Sequence, residues 1–162
     1  MTLRVTLSGL VVALLVAADG TAQEGWKEFT WKEGKCSLLL PGKPTEKKDS
    51  LQVADKQGVY MVYFADSPAM AKADAATIKQ VFDKARDALV ASLKGKLLSE
   101  KDVKLGKSSG RELQIEAPMI GVYRTRLYQV GERYYQIILT APKDVATSKE
   151  ADKFFASFKV VP

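Results

Sequence analysis

Hydrophobic and polar residues alternate with a period of two over much of this chain, most clearly from Gly121 to Ala141, which reads GVYRTRLYQV, Gly131-Glu132, RYYQIILTA. Two runs rich in Val, Ile, Tyr, Thr and Leu around a Gly-Glu pair predict a β-hairpin, with Gly131 at the first central position of a type II′ turn. Side chains point alternately to the two faces of a strand. Tyr123 and Leu127 therefore share one face, and Val122, Tyr128 and Val130 the other. On the second strand Tyr135, Ile137 and Leu139 oppose Tyr134 and Ile138. Apolar residues on both faces predict cover on both, since a sheet open to water on one side alternates more cleanly.

Ahead of the hairpin, a short lead contains Trp26, Phe29 and Trp31, and Lys35 to Leu40 predicts a strand closed by Pro41-Gly42-Lys43-Pro44. Leu51 and Val53 alternate with Ser50 and Gln52, Asp55 to Gly58 form a loop, and Val59 to Ala65 (VYMVYFA) is a continuous apolar run. Runs of that kind belong to strands near the middle of a sheet, covered on both faces. Between Asp74 and Lys94, Ile78, Val81, Phe82, Ala85, Leu89 and Leu93 recur at three- and four-residue intervals. That spacing predicts the longest helix, with Gly95 as its C-terminal stop. Leu97 to Leu105 reads as a polar edge strand and Gly110 to Ala117 as an alternating one, with a turn at Pro118-Met119. After the hairpin, Thr147-Ser148-Lys149-Glu150 has the form of a capping box. It opens a short helix whose apolar face is Ala151, Phe154, Phe155 and Phe158, followed by a last strand from Lys159 to Val161.

Met1 to Ala22 has the build of a secretory signal peptide: Arg4, then the apolar stretch Leu7 to Ala18, then the small residues Gly20-Thr21-Ala22. Cleavage after Ala22 leaves Gln23 first, and a cut after Ala18 is the alternative. The apolar stretch is shorter than the roughly 20 residues that span a bilayer, so no permanent membrane span is expected. The rest of the chain, 23–162, shows no repeat, low-complexity segment or linker and reads as one exported domain, periplasmic or extracellular.

Composition narrows the chemistry. The chain has 162 residues, 46% hydrophobic and 27% charged, which is ordinary globular composition. A net charge of +6 raises the prospect of an anionic partner. Mixed runs such as Glu46-Lys47-Lys48-Asp49 and Glu100-Lys101-Asp102 instead read as a solvated surface, and no basic block with interleaved aromatics points to nucleic acid. Histidine is absent and Cys36 is the sole cysteine. Histidine-dependent hydrolase triads and Cys/His zinc sites are thereby excluded. Gly-rich phosphate loops and EF-hand spacing are absent, and none of the 19 carboxylates is nominated as a catalytic pair. No catalytic residue, cofactor or metal ligand emerges. The one candidate binding surface is arginine-rich: Arg124 and Arg126, two apart on one hairpin face, with Arg111 and Arg133 at strand ends. Guanidinium groups so placed can grip carboxylates or phosphates. Against that stands pairing with Glu112 and Glu116 on the preceding strand, which would make the arginines structural.

The strand Lys35-Cys36-Ser37-Leu38-Leu39-Leu40-Pro41, the run Val59 to Ala65, the strand Arg133-Tyr134-Tyr135-Gln136-Ile137-Ile138 and the ending Phe154-Phe155-Ala156-Ser157-Phe158-Lys159-Val160 together resemble the PsbP/Mog1-like superfamily. The resemblance covers roughly Phe29 to Val161. It implies an α+β fold, an antiparallel sheet flanked by helices on both faces. Its members include an extrinsic protein of the photosynthetic oxygen-evolving complex, a regulator that binds the small GTPase Ran, and many exported bacterial proteins with no assigned role. No functional residue carries over position by position. The functional expectation is an exported, non-catalytic module that binds another envelope protein or an anionic envelope component. The alternatives are a small-ligand or lipid carrier using a cleft between sheet and long helix, and an enzyme whose site the sequence does not reveal. An apolar pocket would favour the carrier; a filled core with a flat surface would favour the binding module.

Overall fold

The computed structural model describes residues 25–162, so the signal-like segment lies outside the described residues. Its strands are β1 (Lys27–Trp31), β2 (Cys36–Leu40), β3 (Thr45–Glu46), β4 (Ser50–Ala54) and β5 (Val59–Asp66), then β6 (Lys96–Leu105), β7 (Ser108–Ala117), β8 (Gly121–Val130), β9 (Arg133–Ala141) and β10 (Lys159–Val160). Helix α1 (Ala75–Ser92) separates β5 from β6, and α2 (Lys143–Ala146) and α3 (Lys149–Ser157) separate β9 from β10. Seven strands form one antiparallel sheet in the order β3-β4-β5-β9-β8-β7-β6, and β1-β2-β10 form a smaller antiparallel sheet.

The predicted hairpin occupies the middle of the large sheet. Val130 pairs with Arg133, leaving Gly131-Glu132 as a two-residue loop. Gly131 takes φ +59° and Glu132 does not have a positive φ, the type II′ pattern, in which the first central position favours glycine. The register places Val122, Tyr128, Tyr135, Ile137 and Leu139 in one core with Tyr60 and Val62 of β5, Leu38 and Leu40 of β2, and Phe154 and Phe155 of α3. Trp31 and Cys36 belong to this core as well. Leu127 lies in a second, smaller cluster with Leu113 of β7 and Phe82 of α1.

The two faces are not equally covered. Along β5, Tyr60 and Val62 are buried, whereas Met61 and Tyr63 between them are half-buried. The continuous apolar run was expected to be shielded on both sides, and only one side is closed. Position explains the difference: the contacts of α1 fall on β7, on Leu127 of β8 and on Tyr134 at the start of β9, away from β4 and β5.

Local expectations at element ends were adjusted by packing. The lead before Lys35 is itself a strand: β1 pairs with β2 from Lys27 opposite Leu40 to Trp31 opposite Cys36. At the end of α1 it is Lys94, not Gly95, that takes the left-handed conformation, at φ +47°. The Gly95 N–H reaches Val90 O at 3.0 Å and the Lys94 N–H reaches Ala91 O at 3.1 Å, a Schellman closure. Gly95 is needed for a different reason, because a Cβ there would stand 2.6 Å from Ile115 Cγ2 and 2.7 Å from Glu116 O. The cap of α3 is shifted by one residue from the expected box. Ser148 accepts from the Ala151 N–H at 3.2 Å, while the Thr147 hydroxyl donates to Lys143 O at 2.8 Å and closes α2.

Phe158 caps α3 and stacks parallel to Tyr128 with ring centres 6.1 Å apart. Phe158→Ala should therefore lower the urea midpoint markedly, by a loss of about 3–5 kcal/mol. An unchanged midpoint would show that the ring carries no packing load.

Candidate functional site

The four arginines fall into three separate arrangements. Glu112 of β7 is 1% exposed and lies in register opposite Arg126, two pairs along from Arg124, which faces the same side. Arg126 Nε donates to Glu112 Oε2 at 2.5 Å, Arg124 Nη2 donates to Glu112 Oε1 at 3.0 Å, and Lys101 Nζ stands 3.1 Å from the same oxygen. Arg124 also donates to Ala146 O at 3.0 Å and to Asp152 at 2.7 Å, and both guanidinium groups lie over the Phe155 ring. Burial pushes the Glu112 carboxyl up, but the Arg126 hydrogen bond and the charges of Arg124 and Arg126 more than offset it, so its pKa sits below the ordinary glutamate value. Glu116, the other expected partner, pairs in register with Val122.

Arg111 does not join them. It pairs with Leu127, one residue out of phase with Glu112, and so points to the opposite face. There its Nη1 meets Asp83 of α1 at 2.5 Å and Glu100 of β6 at 2.8 Å. Hydrogen bonds from Arg111 and then Lys79 hold the Asp83 carboxyl down at about 2. Arg133 sits at the hairpin turn, forked onto Asp66 at 2.6 and 2.7 Å, donating to Glu33 O at 2.9 Å and lying 4.0 Å over the Phe64 ring.

The α1 side of the sheet shows two other features. The first is a half-open groove of about 380 Å³ between the N-terminal half of α1 and the β6–β7 pair, lined by Ile78, Lys79, Phe82, Asp102, Lys104 and Arg111 among others. The second lies on the other flank of α1 and carries no acid or base. Met61 and Tyr63 of β5 pair with Ile138 and Gln136 of β9, Ala65 pairs with Tyr134, and Tyr123 of β8 pairs with Thr140. Thr125, Leu127 and Gln129 of β8 share this side of the sheet but are buried, and Val59 continues the half-buried stripe on β5. In a chain that is 27% charged, this uncharged surface is set apart by composition. Met61, Tyr63, Tyr123, Tyr134 and Gln136 are all half-buried, so water reaches their edges.

Two polar side chains on this face are bonded within the sheet. Gln136 Nε2 donates to the Tyr123 hydroxyl at 3.0 Å, and the Thr125 hydroxyl donates to Ile137 O at 2.9 Å. Burial pushes the Tyr123 and Tyr134 phenols well above their usual range, so both stay neutral. Ala85 of α1 packs in the same cluster as Tyr134, and Val81, one turn earlier, carries the apolar surface onto the helix. The stripe was present in the sequence as Met61-Tyr63 and Tyr134-Gln136-Ile138 at two-residue spacing. Sequence alone does not show which face α1 leaves open.

Cys36 is fully buried, and burial pushes its thiol up to about 12, which leaves it protonated at neutral pH. Among the described residues there is no group of three His, Cys, Asp or Glu side chains that suits a metal ion, and no helix long and apolar enough to cross a membrane.

Neither a protein-family model nor a curated protein matches the sequence. Solved structures match the fold. Cyanobacterial PsbP (CyanoP) from Synechocystis sp. PCC 6803 superposes with a TM-score of 0.64 at 9% identity, over 90% of this chain and 98% of that one. The Ran-binding protein Mog1p of Saccharomyces cerevisiae gives 0.52 at 13% identity, over 84% of this chain and 95% of that one. A crystal structure from Bacteroides thetaiotaomicron VPI-5482 gives 0.53 at 15% identity, over 85% of this chain and 49% of that one, so the match spans about half of that protein. At these identities the likeness is one of fold. The chain has a PsbP/Mog1-like α+β fold, as the strand and helix pattern anticipated.

Proposed function

We propose that this protein is a non-catalytic interaction module that binds another protein through the uncharged face of β5, β9 and β8 beside α1. The observation that carries the proposal is the absence of charged side chains on the half-buried face formed by Met61, Tyr63, Tyr123, Tyr134 and Gln136. The centres of protein interfaces are depleted of charged residues and enriched in aromatics and Met. On the closed side, by contrast, Trp31, Leu38, Val62, Ile137 and Phe154 are fully buried. The architecture behind this is an α/β/α sandwich in which α2 and α3 shield one face and α1 covers only part of the other. One of the solved structures with this fold is a Ran-binding protein, so the fold is compatible with protein recognition.

We further propose that residues 23–162 form one exported domain whose partner is an envelope protein. N-terminal sequencing of the native protein should begin at Gln23 or Asp19; recovery of intact Met1 from the cytoplasm would refute export. To test the interface, a photo-crosslinking residue is placed at Tyr63 and, as a control, at the exposed Lys47. A discrete adduct is expected from position 63 and not from position 47. Met61→Lys should weaken that complex about 30-fold or more, the effect of losing roughly 2 kcal/mol at an interface centre. Equal adducts from both positions, or a complex indifferent to Met61→Lys, would remove this face from consideration.

A further inference from the structure

We infer that the groove between α1 and the β6–β7 pair is a binding site for a small amphipathic carboxylate, its head held at Lys104 and Arg111 and its tail lying over Ile78 and Phe82. The site lies on the flank of α1 opposite the uncharged face and does not depend on the protein-binding proposal. Its volume, about 380 Å³, falls in the range of small-molecule pockets. The floor is apolar, provided by Ile78 and Phe82; the charged lining is Lys79, Lys104, Arg111 and Asp102, with Asp83 and Glu100 already paired to the cations Lys79 and Arg111, so that Lys104 is the lining cation without an ion pair among the described residues.

Arg111 is the built element. Its side chain is 5% exposed, its Nη1 is held by Asp83 and Glu100, and its guanidinium carbon lies 5.6 Å from the Phe82 ring centre. Those contacts fix the guanidinium plane against the groove wall. Nε has no hydrogen-bond partner among the described residues, and an Asp102 carboxylate oxygen stands 3.8 Å away, beyond hydrogen-bond distance. A buried donor left unpaired is costly. Asp102 is 93% exposed and free to swing into water, so an incoming carboxylate can take the place beside Nε while Lys104 supplies a second charge. The N-terminus of α1 adds nothing, because Asp74 already accepts from the Thr77 N–H at 2.7 Å. Lys79, at 3.0 Å from Asp83, is likewise engaged. An uncharged chain would gain only the floor, and a bare anion only the wall; the two together select a molecule with one carboxylate and a short apolar tail.

Octanoate is the probe, titrated into the isotope-labelled full chain while backbone amide shifts are followed. Shifts should concentrate at residues 78–82 and 102–111 and saturate. Lys104→Glu, a change at an exposed side chain, should weaken binding at least fivefold. Octanol should bind at least fivefold more weakly than octanoate, and inorganic phosphate should not reproduce the shifts at Ile78 and Phe82. Scattered, non-saturating shifts, equal binding of octanol, or indifference to Lys104→Glu would each overturn the assignment. Phosphate moving the same amides as strongly as octanoate would show that the tail plays no part, and would overturn it too.

Discussion

Phe154→Ala should remove about 3–5 kcal/mol of stability, the usual loss when a buried aromatic ring is truncated and its cavity only partly collapses. Phe154 is fully buried, and its ring meets Tyr60 of β5 at 5.1 Å, Phe155 at 5.0 Å and Trp26 at 6.4 Å between ring centres. Those contacts join α3 to the middle of the large sheet and to the residue that leads into β1. Edge-to-face pairs of this kind add about 0.5–1.5 kcal/mol beyond their buried area. A domain of this size holds roughly 5–15 kcal/mol in total, so the variant should lie near the edge of folding. The urea midpoint should fall steeply with the slope of the transition preserved. A midpoint within error of the wild type would mean that α3 does not hold the small sheet against the large one.

How much of this was legible beforehand follows from which forces are local. The strands of the hairpin, the β4–β5 pair and the length of α1 are written in periods of two and 3.6, and the structure keeps them nearly to the residue. The strand β1 was not legible as a strand, because Lys27-Glu28 opens it with two exposed charges and only pairing with β2 makes it regular. Cap positions moved for similar reasons: Gly95 is required by the approach of Ile115 and Glu116, contacts no helix signal encodes. That Arg124 and Arg126 share a face follows from their two-residue spacing, whereas the choice of Glu112 over Glu116 as their partner depends on the register of β7 against β8, which the sequence does not encode locally. The two candidate sites were hidden because both depend on where α1 lands. Its contact with β7 and β8 creates the groove on one flank and leaves Met61 and Tyr63 half-open on the other.

The buried charge cluster gives the other large effect. Glu112→Ala should cost about 3–5 kcal/mol, because it leaves Arg124, itself 3% exposed, without its interior carboxylate. Asp152 remains at 2.7 Å but is 63% exposed at its side chain, so it offers a solvent-weakened charge in exchange. Arg126→Ala should cost less, since Arg124 and Lys101 still neutralise Glu112. The sign of the pH dependence separates charge from packing. The folded-state pKa of Glu112 is depressed, so its contribution is complete above the ordinary glutamate value of about 4.3 and is lost as pH falls through the lower folded value. Glu112→Gln, which keeps the shape and removes the charge, should therefore be clearly less stable than the wild type at neutral pH, and the gap should narrow as the solution is made strongly acid. Chemical denaturation of both proteins across that range measures it. A gap that is the same at neutral and strongly acid pH would assign the loss to packing, and would strip Glu112 of its role as the charge that holds the two arginines in the core.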